Sequence, residues 1–112
     1  MEIEGKSAIV TGGGGGIGSH IVKLLLENNA SVAAVDWNQE SLNKLKIKHS
    51  SEEARLKCYC GNVGNFEFVQ EVTNDLFQQW GKIDILVNNA SILQDAPLVS
   101  LWKGELKKFS LT

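Results

Sequence analysis

Five consecutive glycines, Gly12 to Gly16, separate a short apolar run from an apolar repeat of helical spacing, and they constrain the fold more than any other stretch. Ser7-Ala8-Ile9-Val10 leads into Thr11 and the glycines, after which Ile17, Ile21 and Leu25 recur four apart with Leu24 beside them. This reads as strand, glycine loop and amphipathic helix. The alternation continues. Asn28-Asn29 stops the helix, and Val32-Ala33-Ala34-Val35 is a continuous apolar strand closed by Asp36, of the kind covered on both faces in a parallel sheet. A helix from about Glu40 carries Leu42, Leu45 and Ile47 on one side, with Lys44, Lys46 and Lys48 in solvent. Leu56 to Cys60 forms a third strand, followed by a Gly61–Asn65 loop. The third helix, Phe66 to Trp80, places Phe66, Val69, Val72 or Thr73, Leu76 and Trp80 on one face, with Gly81 as its terminating residue. Ile83, Ile85, Leu86 and Val87 make a fourth strand closed by Asn88-Asn89. A loop through Pro97 then leads to a weakly helical stretch from Leu98.

Strands separated by helices of this length imply right-handed crossovers and a parallel sheet with helices on both faces, a doubly wound α/β fold. In such a sheet ligands gather beyond the carboxyl ends of the strands. The candidate site is therefore built from the loops that open at Thr11, Asp36, Gly61 and Asn88.

Composition narrows the classes of function. The 112 residues fit a single domain over 1–112, and eleven Lys and Arg against thirteen Asp and Glu leave a net charge of −2. Without a broad basic surface, nucleic acid and anionic membranes are not expected partners. No apolar run approaches the roughly 18 residues that span a bilayer, and no basic stretch followed by an apolar one marks the N-terminus as a secretory signal. The expected compartment is the cytoplasm. Cys58 and Cys60, two apart on one strand, are read as pointing to opposite faces and are therefore expected to stay unpaired, and no metal site is expected. His20 and His49 lie on helices without an acid or cysteine at ligand spacing and are read as exposed.

The glycine loop carries the chemistry. Backbone N–H groups and the positive end of a helix dipole at a strand-to-helix turn favour a diphosphate. Glycine permits the tight turn and the close backbone approach, and Gly18 lets the helix lie against its strand without a Cβ between them. Gly13, Gly15 and Gly18 meet the G-x-G-x-x-G spacing, and an acid, Asp36, closes the next strand eighteen residues on. A carboxylate there accepts hydrogen bonds from both hydroxyls of an adenosine ribose and repels a 2′-phosphate. No Arg or Lys stands at Gly13 to Gly16, Val35, Trp37 or Asn38 to neutralise such a phosphate, so NAD(H) is expected over NADP(H). Trp37 either lies against the adenine edge or covers the end of the sheet. The plainer alternatives are a structural glycine turn and a solvated strand-end acid.

Thr11-Gly12-x-x-x-Gly16-Ile17-Gly18 resembles the cofactor motif of the short-chain dehydrogenase/reductase family. Asn88-Asn89-Ala90-Ser91 is similar to that family's Asn-Asn-Ala-Gly, and Trp80-Gly81-Lys82-Ile83-Asp84-Ile85-Leu86-Val87 to the segment before it. The resemblance covers essentially the whole chain and implies a Rossmann-like sheet of about four strands in the order 3-2-1-4. It also implies a cofactor site formed by Thr11, Gly12, Gly14, Gly15, Gly16, Ile17, Gly18, Asp36, Trp37, Asn62, Val63, Asn89, Ala90 and Ser91. In the family the Asn-Asn-Ala segment fixes the central sheet and lines the adenosine-ribose side. Asn88 and Asn89 also suit an ordinary strand-end turn. Ser91 departs from glycine, so its hydroxyl either crowds the cofactor or bonds it. Asn62-Val63 stands where the family has Asp-Val reading the adenine edge. The Asn62 carbonyl can accept from the adenine amino group, and a local Asx-turn is the alternative.

The resemblance implies an NAD-dependent oxidoreductase that moves hydride between nicotinamide and an alcohol or carbonyl. The family's catalytic Ser and Tyr-x-x-x-Lys are absent here. The single tyrosine, Tyr59, is followed four residues later by Val63, and the family's helical Asn would fall just beyond Thr112. No catalytic residue is assigned. The chain is expected to supply the dinucleotide-binding portion of a longer protein, incomplete at its C-terminus, with a small-molecule substrate only where a downstream part completes the site. Ile83, Ile85 and Val87 are expected to lie on an open sheet edge that invites a partner. The alternatives are a non-catalytic short form that binds NAD(H) or a partner, and a truncated product without function. The resemblance does not set the oligomeric state.

Overall fold

A computed structural model describes residues 2–89. The elements are β1 (Ser7–Thr11), α1 (Gly16–Glu27), β2 (Ser31–Asp36), α2 (Gln39–Lys48), a 3-10 turn (Ser50–Glu52), β3 (Leu56–Cys60), α3 (Phe66–Trp80) and β4 (Ile85–Asn88). The four strands are all parallel and lie in the order β3-β2-β1-β4. This is the doubly wound, Rossmann-like arrangement expected from the sequence. The expected helix from Leu98, together with Ala90 and Ser91, lies outside the described residues.

Strand periodicity divides the core. Ala8, Val10, Val32 and Ala34 face α1 and α2, where Val22, Leu25, Leu26, Leu42 and Leu45 bury against them. Ile9, Ala33 and Val35 face the other way, onto Val69, Val72 and Leu76 of α3. A strand buried on both faces has no polar positions to spare, which accounts for the unbroken apolar reading of β1 and β2. Registers pair Thr11 with Val35 and Asn88, and Asp36 with Cys60, so the carboxyl ends of all four strands meet along one rim.

Helix termini follow local chemistry. Asn38 and Asn65 cap α2 and α3, accepting at 3.1 Å from Ser41 N–H and Phe68 N–H. Gly81, in the left-handed region at φ +73°, ends α3 as expected. At the close of α1 the Arg55 guanidinium donates to the carbonyls of Leu26 (3.2 Å) and Ala30 (2.7 Å).

Several expectations need correction. The buried stripe of α1 is Gly18, Val22, Leu25 and Leu26, while Ile17 is 72% exposed and Leu24 46% exposed. Gly18 faces the strand, and Ile17, about 100° away round the helix, is thereby turned outward. Ile47 and Phe66 also face solvent, each at the outer side of its helix. Ile83 precedes β4 and is buried against the α3 side of the sheet, whereas Ile85, Leu86 and Val87 are half-buried. His49 is buried, because it ends α2 where the 3-10 turn folds back over it and Glu52 N–H bonds its carbonyl at 3.0 Å. Its Nδ1 lies 3.9 Å from Glu52 Oε2, and its Nε2 has no partner among the described residues. Cys58 and Cys60 are both free. Against the expectation of opposite faces, they share one side of β3, because residues two apart in a strand point the same way, and two strand rises separate them by about 6.6 Å, near the upper limit for a disulfide.

Leu76 is fully buried and Leu24 is not. Leu76→Ala is expected to cost about 3 kcal/mol in urea unfolding, and Leu24→Ala less than about 1 kcal/mol. Equal costs would contradict the packing described.

Candidate functional site

The site begins where β1 turns into α1. Gly12 takes φ +67°, a conformation that a side chain resists, and its N–H donates to the Val35 carbonyl at 2.7 Å. Gly13 N–H reaches the same oxygen at 3.3 Å. A Cβ on Gly18 would lie 1.9 Å from the Gly12 carbonyl oxygen, so only glycine lets α1 approach β1 this closely. The start of α1 is thereby held over the strand ends. Its N-cap, Gly15, has no side chain to offer, and no acid lies in its first turn. By contrast α2 and α3 have asparagine caps and a first-turn glutamate, Glu40 and Glu67. Of these three helices, α1 alone presents uncapped N–H groups and an uncompensated positive dipole end, the arrangement that suits a phosphate.

Thr11 is fully buried beneath the loop. Its hydroxyl donates toward Asn88 Oδ1 at 3.1 Å and accepts from Asn89 N–H at 2.9 Å. Asn89 Nδ2 lies 3.5 Å from the Gly12 carbonyl. The ends of β1 and β4 are thus tied together under the glycine turn. Asp36, at the end of β2, accepts from Gly14 N–H at 3.0 Å through Oδ2 and from Asn38 N–H at 3.1 Å through Oδ1. Asn62 forms an Asx-turn, its Oδ1 accepting from Gly64 N–H at 2.8 Å. The turn occupies one lone pair of the amide oxygen and leaves the Nδ2 donors without a partner among the described residues. Val63 N–H has no partner among the described residues, while the Val63 side chain is buried.

Gly12, Gly15, Asp36, Trp37, Asn62, Val63 and Asn89 line one cavity of about 310 Å³. Trp37 is 68% exposed at its wall rather than packed over the sheet. The other expected positions serve the cavity from beside or below. Gly14 reaches Asp36, Thr11 and Gly18 are buried supports, and Gly16 and Ile17 are exposed on the first turn of α1. Asn38 and Ser41 also line the cavity, two positions that the cofactor motif does not include. The Asn-x-x-Ser helix start was the available signal, since it places both residues beside the strand end.

A larger cavity, about 550 Å³, lies along the β3 edge against His49, Lys57, Cys58, Tyr59 and Asp75. Here the chemistry opposes a catalytic role for Tyr59. Burial raises the Tyr59 pKa well above that of an ordinary phenol, and the hydrogen bond and charge of Asp75 raise it further. The Tyr59 bond is also the main cause that lowers the Asp75 carboxyl. Burial raises the Cys58 thiol as well. Among the described residues no group of three metal-ligating side chains occurs, and no helix is long and apolar enough to cross a membrane.

A parallel sheet with a glycine turn under an uncapped helix, beside the reversal of strand order between β1 and β4, defines a Rossmann-like protein. A family model described as short chain dehydrogenase matches residues 6–109. The chain is 36% identical, over 101 residues, to 3-oxoacyl-acyl-carrier-protein reductase FabG of Thermotoga maritima, covering 90% of this chain and 41% of that one. NAD-bound xylitol dehydrogenase superposes with TM-score 0.74 at 29% identity, over 92% of this chain and 42% of that one. The C-domain of a bacterial malonyl-CoA reductase with NADP gives TM-score 0.75 at 29% identity, over 81% of this chain and 15% of that one. The chain belongs to the short-chain dehydrogenase/reductase family of oxidoreductases, and it spans 36% to 41% of the length of the first curated relatives it matches.

Because Tyr59 is the only tyrosine, tyrosinate absorbance reads it directly. A phenol whose pKa is raised in the folded state stabilises the fold below the ordinary value of about 10, and that contribution is lost as pH rises through the folded value. The absorbance at pH 10.5 is therefore expected to stay well under half-titrated in the folded protein. In Asp75→Asn it is expected to move part of the way back. Half-titration near pH 10 in the folded wild type would contradict this environment.

Proposed function

We propose that this chain binds NAD(H) across the carboxyl ends of its strands as the cofactor-binding portion of a short-chain dehydrogenase/reductase. The observation that carries the reading is the pairing of an uncapped α1 terminus over the glycine turn with the Asp36 carboxylate at the wall of the same cavity. The N–H groups of the α1 first turn receive the diphosphate, and Gly12 and Gly15 permit its close approach. Asp36 accepts from the adenosine ribose hydroxyls. Two of its roughly four acceptor positions are taken by Gly14 and Asn38, which leaves two for the ribose. Trp37, Val63 and the amide of Asn62 border the adenine. The free Val63 N–H and the unused Asn62 Nδ2 face it as donors, while the remaining lone pair of Asn62 Oδ1 accepts from its amino group. Asn89, which lines the same cavity, meets the adenosine-ribose side, as the family's Asn-Asn-Ala segment implies.

Neighbouring folds hold NAD in one case and NADP in another, so the choice rests on this chain's own charge. Among the described residues Asp36 is the only ionisable side chain lining the cavity, and it is negative. A 2′-phosphate there would face a carboxylate without a cation to offset it, which favours NAD(H). When bound, the nicotinamide supplies hydride chemistry between an alcohol and a carbonyl. We propose that reaction for the protein in which this portion works, with the substrate held by residues outside this sequence. We further propose the cytoplasm as its compartment, and no nucleic-acid or membrane partner.

Titration with NADH and NADPH, followed by nicotinamide fluorescence, tests the reading. Wild type is expected to bind NADH at least about tenfold tighter than NADPH, which corresponds to about 1.4 kcal/mol. Gly18→Ala, whose Cβ meets the Gly12 carbonyl, is expected to weaken NADH binding by at least about tenfold. Equal affinity for the two cofactors would remove the NAD assignment, and unchanged binding in Gly18→Ala would remove the glycine-turn site.

A further inference from the structure

Asp36 holds more than one loop. Its Oδ2 accepts from Gly14 N–H at 3.0 Å, its Oδ1 from Asn38 N–H at 3.1 Å, and its backbone carbonyl from Gly61 N–H at 3.0 Å. The loops after β1, β2 and β3 therefore converge on this one residue. Gly14 sits tightly in its place. A Cβ there would lie 2.7 Å from Ser41 Cβ and 3.1 Å from Asp36 Oδ2, so the middle of the glycine loop is clamped between the carboxylate and the first turn of α2. Backbone bonds to the Val35 carbonyl fix Gly12 and Gly13, and Gly15 N–H bonds the Gly12 carbonyl. Gly14 N–H has no acceptor among the described residues other than Asp36. The bond is charge-assisted, the stronger class of hydrogen bond.

We propose that Asp36 is a positioning residue for the glycine loop, which it holds in its diphosphate-receiving shape before any ligand arrives. The ribose contact, which rests on the function proposed above, is then a second duty of the same carboxylate. Ribose recognition and loop shape are coupled through one group. Removing that group weakens every dinucleotide, including one with no adenosine-ribose hydroxyls to recognise. A substitution at Asp36 intended only to admit a 2′-phosphate therefore carries a loss of affinity common to all such ligands.

Two measurements on the full-length protein test this. The first is amide hydrogen exchange without ligand, read by NMR at Gly14 in wild type, Asp36→Ala and Asp36→Asn. Loss of a hydrogen bond to a charged acceptor is expected to speed Gly14 exchange about tenfold in Asp36→Ala. Exchange in β1 and α3 is expected to stay unchanged. Asp36→Asn keeps the side-chain shape with one acceptor oxygen instead of two and is expected to fall between. Should Asp36→Ala lose protection throughout, Asp36→Asn decides. The second measurement compares binding of NADH with that of its 2′,3′-dideoxyadenosine analogue. Asp36→Ala is expected to weaken both. Unchanged Gly14 exchange, or a loss confined to the hydroxyl-bearing dinucleotide, would overturn the positioning role. Wild type that binds neither dinucleotide would remove the proposed function, while the ligand-free exchange would still judge the role of Asp36.

Discussion

The approach of α1 to β1 at Gly18 governs the geometry of the whole rim. With a Cβ position only 1.9 Å from the Gly12 carbonyl oxygen, any side chain would push the helix away from the sheet. The contact fixes three things together. It turns Val22, Leu25 and Leu26 onto Val10, Val32 and Ala34, it directs Ile17 into solvent, and it suspends the uncapped end of α1 above the strand termini. Burial of the α1 stripe and presentation of its N–H groups therefore follow from one missing methyl group. Core packing and site geometry are not separate features of this molecule.

The strands and the span of α3 were legible because each carries a strong local signal, whereas the strand order came from the family resemblance. A strand buried on two faces reads as unbroken apolar residues, and α3 has both an amphipathic repeat and a terminal glycine. The apolar stripe of α1 was misread by one position. Ile17, Ile21 and Leu25 form as regular a repeat as Gly18, Val22 and Leu25, and hydrophobicity gives no weight to a glycine that faces inward. His49 was misread for a related reason. Its burial comes from a chain reversal after α2, a tertiary event that helical periodicity does not report.

The site residues were legible as positions more than as partners. Asp36 was placed at the strand end by spacing, but its bonds to Gly14 and Asn38 depend on how two loops fold toward each other. Asn62 illustrates the same limit. The sequence left an adenine acceptor and an Asx-turn as alternatives, and local geometry forms the turn while leaving one lone pair of the oxygen free. Cavity size is a poor guide here too. The space along β3 is larger than the one beside the glycine turn, yet its Tyr59 and Asp75 bond each other, whereas the smaller cavity is lined by Asn62 and Val63, whose Nδ2 and backbone N–H have no partner among the described residues.

The tie between Thr11 and the Asn88-Asn89 pair has a consequence for how the molecule is made. Its partners stand 77 and 78 residues apart, and β4 pairs with the central β1 across the same interval. Loop closure over such a distance is slow relative to the local turns and helices. On the ribosome, β1, α1 and β2 emerge early and can begin to pack, but the floor beneath the glycine turn cannot close until Asn89 has left the exit tunnel. The cradle thus forms only after the fourth strand has emerged, and a ligand that needs its floor selects chains that have already added that strand to the sheet.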